Sequence, residues 1–129
     1  VICSDAAAER SRALEDCGVE VLRVGHGSGA QTSLDMGLAL AALARASVDS
    51  ILVEGGAAIA GALLSGRHAD ELHAFIAPLL LGPDARACVV GWAGPDVPAG
   101  APRIVEPVIE ACDSDVYVYG QLAYPATSP

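Results

Sequence analysis

The residues best suited to chemistry are Glu54-Gly55-Gly56, set between the apolar run Ile51–Val53 and the small-residue run Ala57-Ala58-Ile59-Ala60-Gly61-Ala62. In open α/β sheets, ligands bind where strands end and helices begin. A helix that starts directly after a strand offers unpaired N–H groups and a partial positive charge, both suited to a phosphate. Glycines at such a turn let a ligand approach the backbone and accept dihedrals that a side chain forbids. Small residues after them leave the helix end unobstructed. Glu54 ends the strand at the same mouth, where a carboxylate can accept hydrogen bonds from sugar hydroxyls or a ring N–H. The same residues also suit a plain tight turn, with Gly61 as a close-packing position. Local features leave both readings open. This turn lacks the GxGxxG spacing of the common dinucleotide fingerprint, so it does not read as a standard Rossmann site.

Other reactive side chains read as architecture. Asp70 and Glu71 are adjacent carboxylates, but neighbours in a strand point to opposite faces, which argues against an acid–base pair. His73 shares a strand face with Glu71 and reads as structural. Ser4 and Asp5 end the first strand and could touch an adenine ribose, although helix capping explains Asp5 equally. The glycine-rich loop at 25 to 29 reads as a flexible connection, with a place flanking a cofactor as the alternative. Cys3, Cys17, Cys88 and Cys112, with His26, His68 and His73, form no zinc spacing and read as small buried thiols in a reducing compartment. No metal site is expected. Trp92 reads as a cover over the core edge or a dimer contact, and Tyr117 and Tyr119 as packing on one strand face.

The elements that must hold these residues follow from periodicity. Val1–Ser4 reads as a strand, and Asp5 caps a helix from Ala6 to Cys17 with an Arg12–Asp16 pair and a stop at Gly18. Val19–Val24 alternates as a strand. Ser33 caps a buried Ala- and Leu-rich helix from Leu34 to Ala46. Ile51–Val53 is expected to be a strand and Ala57–Leu64 a helix ending at Gly66. Asp70–Ala77 supplies a strand that stops at Pro78, and Gly82–Pro102 is a long connection. Arg103–Ala111 and Asp115–Ala123 form a closing hairpin. Alternating strands and helices predict an α/β domain over residues 1–129: three layers, α/β/α, with a mixed, mainly parallel sheet and an antiparallel hairpin at its edge.

Composition narrows the function classes. The 129 residues form one domain at most. Sixteen acidic residues against seven arginines, with no lysine, give a net charge of −9, which argues against a nucleic-acid partner. No run reaches the roughly 20 apolar residues of a membrane helix, and nothing reads as a signal peptide. The chain opens inside a strand without a Met, so a piece of a longer protein is expected.

The stretch SILVEGGAAIAGALLSGRHADELHAFIAPLLLG, residues 50–82, resembles the signature of the reductase domain of the RibD family of bifunctional riboflavin biosynthesis proteins. V-E-G-G at Val53–Gly56, D-E-L at Asp70–Leu72, Ile76–Gly82, DARA at 84–87 and DVYVYG at 115–120 occur in that family's order. The resemblance covers most of residues 48–120. It implies a dihydrofolate-reductase-like fold, incomplete at the N-terminus here, and an NADPH-dependent reduction. The substrate implied is 5-amino-6-(5-phosphoribosylamino)uracil, reduced to its ribitylamino product by hydride delivery to the sugar C1. Carried over by position, Glu54 contacts substrate, and Gly55, Gly56, Ala57, Ala58, Ile59, Ala60, Gly61 and Ala62 hold the cofactor. No general acid or base is implied. A cytoplasmic homodimer and an upstream deaminase domain complete the expectation. Its alternatives are a related reductase with another small substrate, or a non-catalytic dimerisation or docking domain.

Overall fold

A computed structural model describes residues 1–4, 7–25 and 34–126. Asp5, His26 and Ser33, each given a role above, lie outside the described residues, as does most of the glycine-rich loop. The chain divides into two compact units, Val1–Val53 and Glu54–Pro129.

The first unit contains β1 (Ile2–Ser4), α1 (Ala8–Asp16), β2 (Leu22–Val24) and α2 (Met36–Arg45). β1 and β2 pair in parallel, Ile2 against Leu22 and Ser4 against Val24, with α1 as the crossover. Gly18, at φ 79°, closes α1 as expected, its N–H bonding the Glu15 carbonyl. The expected Arg12–Asp16 pair is replaced by a tie to β2: Arg23 meets Glu15 at 2.6 Å and donates to Ser11 Oγ at 2.9 Å. α2 begins later than expected because Asp35 caps it, accepting from the Leu38 N–H at 2.9 Å. Such a cap stabilises by about 1 kcal/mol. α2 packs on β2 and buries only one side, at Ala39 and Ala42, while Leu38 stays 43% exposed. Val24 and Ser11 complete this unit's small core.

The second unit contains α3 (Ala57–Ser65), β3 (Glu71–Ile76), a 3₁₀ turn at Pro98–Gly100, β4 (Arg103–Cys112) and β5 (Asp115–Ala123). β5 lies between β3 and β4, and both pairings are antiparallel. Asp113 turns the β4–β5 hairpin at φ 52°, a left-handed conformation that Asp tolerates. A bulge interrupts β4 between Val105 and Val108, with Glu106 at φ 47°. Beyond β5, the Tyr124 hydroxyl donates to the Ala69 carbonyl and Arg67 donates to the Pro125 carbonyl, fastening the chain to the α3–β3 turn.

Parallel and antiparallel sheets are both present, so the chain is a mixed α/β structure. Among the described residues the expected parallel majority is not formed. The only parallel pair among the described residues is β1–β2, and Ile51–Val53 makes no ladder. A β-branched run becomes a strand only when its N–H and C=O groups find neighbouring backbone. Here Ile51, Leu52 and Val53 stay 45%, 78% and 44% exposed.

Candidate functional site

Gly56 is the residue that shapes the Glu54-Gly55-Gly56 turn. It sits at φ 67°, ψ 130°, where an L side chain is strained, and it N-caps α3 without any side-chain cap. A Cβ built on Gly55 or Gly56 would meet no atom within 4 Å, so the space before the helix is open. The Ile59 and Ala60 N–H groups both bond to the Gly56 carbonyl, at 3.1 and 3.2 Å. Donors for an outside anion are therefore confined to the turn and the first two helical residues, Ala57 and Ala58. Glu54, Gly55, Gly56 and Ala58 are exposed, and Ala57 is half-buried. This turn fits a phosphate: it offers aligned donors, a left-handed glycine and no side chain in the way.

The remaining positions of the expected cofactor stretch lie deeper. Ile59 is 44% exposed, Ala60 and Ala62 are half-buried, and Gly61 is buried. Gly61 backs onto the chain at Val90: a Cβ there would sit 1.8 Å from the Val90 carbonyl oxygen. The Val90 N–H in turn bonds to the Ala57 carbonyl at 3.0 Å. The long connection thus braces the flank of α3, and the open face of the turn is left free. At the other end of α3, an open cleft of about 270 Å³ is lined by Leu64, Arg67, Trp92, Pro95 and Tyr124 among others. Trp92 is half-buried there, and the Arg67 guanidinium lies 5.8 Å from the Tyr124 ring centroid.

One constellation on the sheet was not anticipated. Glu71 and His73 share a face of β3, as expected, with Glu71 Oε1 3.3 Å from His73 Nε2. Register places Tyr119 opposite His73 and Tyr117 opposite Phe75. Tyr117 Oη lies 2.5 Å from His73 Nδ1, and the rings of Phe75, Tyr117, Tyr119 and His73 stack in sequence. Desolvation, then the charges of Tyr119, Glu110 and Glu71, push the Tyr117 phenol above its ordinary value. The i, i+2 spacing of Glu71 and His73 was visible in sequence, but their partner depends on register across strands far apart in the chain. Asp70 stands apart from this row, using its carbonyl to accept from the Leu122 N–H.

Among the described residues, no group of three or more His, Cys, Asp or Glu is placed to hold a metal ion, and no helix is long and apolar enough to cross a membrane. The four thiols are free, and the expected burial fails: Cys17, Cys88 and Cys112 are exposed and Cys3 half-buried, because they stand at a helix end, in a connection and at the ends of small sheets.

A family model described as the RibD C-terminal domain matches residues 1–118, running across both units. The riboflavin biosynthesis protein RibD of Escherichia coli (strain K12) is 47% identical over 53 residues, which cover 41% of this chain and 14% of that protein. The chain thus spans a small part of that curated relative. With the match extending over most of its length, the chain belongs to the RibD C-terminal domain family.

Proposed function

We propose that this chain is the reductase part of a riboflavin biosynthesis protein. It uses NADPH to reduce 5-amino-6-(5-phosphoribosylamino)uracil to the ribitylamino product. The observation that carries this reading is the open, left-handed Gly56 turn at the start of α3, beside Glu54, in a chain of this family. In the reading, the N–H groups of Gly55 through Ala58 and the α3 dipole hold the cofactor's phosphates. Ile59 through Ala62 support that turn from within the helix. NADPH held there would supply the hydride for reduction at the sugar C1, the ring oxygen taking its proton from solvent. Glu54 accepts hydrogen bonds from the substrate and fixes C1 toward the nicotinamide, so positioning accounts for most of the rate.

The finer parts of the fold belong to the same proposal. It takes both units as parts of one three-layer, dihydrofolate-reductase-like domain in a cytoplasmic protein with an upstream deaminase domain. The exposed apolar run Ile51–Val53 supports this, since it has the composition of an interior strand.

The test is NADPH binding and turnover, measured on this chain and on a longer piece of the parent protein. Glu54→Gln is expected to raise the substrate KM roughly 10-fold, the worth of a hydrogen bond to a charged group, while the NADPH Kd stays within about 2-fold. An unchanged KM removes Glu54 from the site. NADPH binding without turnover of this uracil points to another small substrate, and no NADPH binding by either protein defeats the reductase reading.

A further inference from the structure

The cleft at the far end of α3 is built from residues that the Glu54-Gly55-Gly56 turn does not use. Its lining includes Trp92 and Tyr124, both half-buried, together with Pro95 and Pro125. These parts are tied down. The Tyr124 hydroxyl donates to the Ala69 carbonyl at 3.0 Å, and Arg67 Nη1 donates to the Pro125 carbonyl at 3.0 Å. The segment carrying Trp92 lies against α3, its backbone nitrogen 3.5 Å from where a Gly61 Cβ would stand. Gly100 closes on Pro95, since a Cβ there would come within 2.9 Å of the proline ring. Walls fixed in this way lose little further freedom when a ligand enters.

Charge decides what such a cleft accepts. Arg67 is the only charged residue in its lining, within a chain of net charge −9. Its guanidinium lies 5.8 Å from the Tyr124 ring centroid and pairs with no carboxylate among the described residues. One of its N–H donors is spent on Pro125, which leaves the others for a ligand. The carbonyls of Ala62, Leu63 and Leu64 are taken by the N–H groups of Gly66, His68 and Arg67. An anion beside Arg67 is therefore not opposed by those carbonyls of the last turn.

We infer that this cleft binds a small planar aromatic carboxylate of one or two rings. The rings lie against Trp92 and Tyr124, and the carboxylate takes the remaining Arg67 donors, whose planar fork suits it. Size agrees, because a cavity of about 150 Å³ holds benzene. The 270 Å³ of this cleft takes two fused rings, with the carboxylate at the exposed guanidinium. The cleft is open and its cation exposed, so the expected Kd is on the order of 1 mM. The length of α3, about 13 Å, separates the site from the Gly56 turn. Binding here neither needs nor tests the reductase reading.

The chain has a single tryptophan, so one indole N–H resonance in a proton–nitrogen correlation spectrum reports on the cleft. Quinoline-2-carboxylate, titrated to about 5 mM, should move that resonance along a saturating curve. The neutral quinoline-2-carboxamide should bind roughly 10-fold more weakly, the loss expected when a charge-assisted hydrogen bond becomes a neutral one. Inorganic phosphate, which has charge but no ring, should leave the resonance still. Arg67→Lys keeps the charge without the fork and should weaken the acid roughly 3-fold, and Arg67→Gln roughly 10-fold. The acid–amide comparison uses the unaltered chain, so it decides even if losing Arg67 loosens the Pro125 tie. Equal binding of acid and amide, a response to phosphate, or indifference to Arg67→Gln overturns the inference. So does a still indole resonance, or shifts confined to the amides of Gly55 through Ala58.

Discussion

Gly56 and Gly61 lie within a turn and a half of each other on α3, and the absence of a side chain serves opposite ends at the two positions. At Gly61 the missing Cβ is occupied by the protein itself, the Val90 carbonyl oxygen standing 1.8 Å from where that atom would be. At Gly56 the backbone takes a left-handed conformation and nothing lies within 4 Å of a built Cβ. One glycine is explained by the fold. The other bends the chain into open space through a backbone conformation that glycine adopts and an L side chain does not.

Stability measurements give the strongest way to break that contrast. Gly61→Ala forces α3 away from Val90 and should cost about 3 kcal/mol, read as a lowered denaturant midpoint or a failure to accumulate folded protein. Gly56→Ala should cost less, about 1–2 kcal/mol, since it meets only the left-handed backbone penalty. Equal losses at both positions would erase the distinction. A smaller effect separates fold from ligand more sharply. Gly55 has neither a positive φ nor a neighbour, so Gly55→Val should change stability by under about 0.5 kcal/mol. If the turn cradles a phosphate, the same change weakens NADPH roughly 10-fold, by calorimetry or nicotinamide fluorescence, because its side chain stands where the ligand approaches.

The smallest effect carries the comparison to a side chain crowded by charge as well as by atoms. The Tyr117 phenol titrates higher in the fold than its ordinary value of 10.0, through desolvation and then through Tyr119, Glu110 and Glu71. A folded pKa above the unfolded one means this contribution to stability is complete below about pH 10 and is lost as pH rises through the folded value. Tyr117→Phe should therefore flatten the alkaline fall in thermal midpoint and remove the latest-titrating component of the phenolate absorbance. An identical alkaline profile in the variant would show that the phenol is unperturbed.

The sequence made α3 and the closing hairpin legible because each carries its own signal. Gly56 and Gly66 bracket a run of small and apolar residues, and β4 and β5 alternate on either side of Asp113. The turn at Glu54-Gly55-Gly56 was readable for the same reason, since its geometry is set by a local glycine. Ile51–Val53 misled because its strand character is real but conditional: pairing partners decide whether a strand exists, and composition carries no partner. Gly61 was open to two readings until Val90, distant in sequence, was found against it. The Tyr117–His73 bond depended on a register that no local pattern encodes. Asp35 caps α2, two positions beyond the Ser33 that the sequence suggested, because a second cap-competent residue stands within the same turn.

The bulge in β4 has a consequence of parity. From Val105 to Val108 the strand advances three residues while its partner moves two, from Gln121 to Tyr119. That odd step inverts which residues face which way beyond it. Without it, Glu110 and Cys112 would turn in among Val116 and Val118, and Ile109 and Ala111 would replace them beside the tyrosines. The segment before the bulge and the segment after it are thus written in opposite phase. Deleting Glu106 would therefore remove the bulge and leave Val108–Cys112 on their present partners and faces, whereas inserting one residue between Val108 and Cys112 would turn the far end of the strand over.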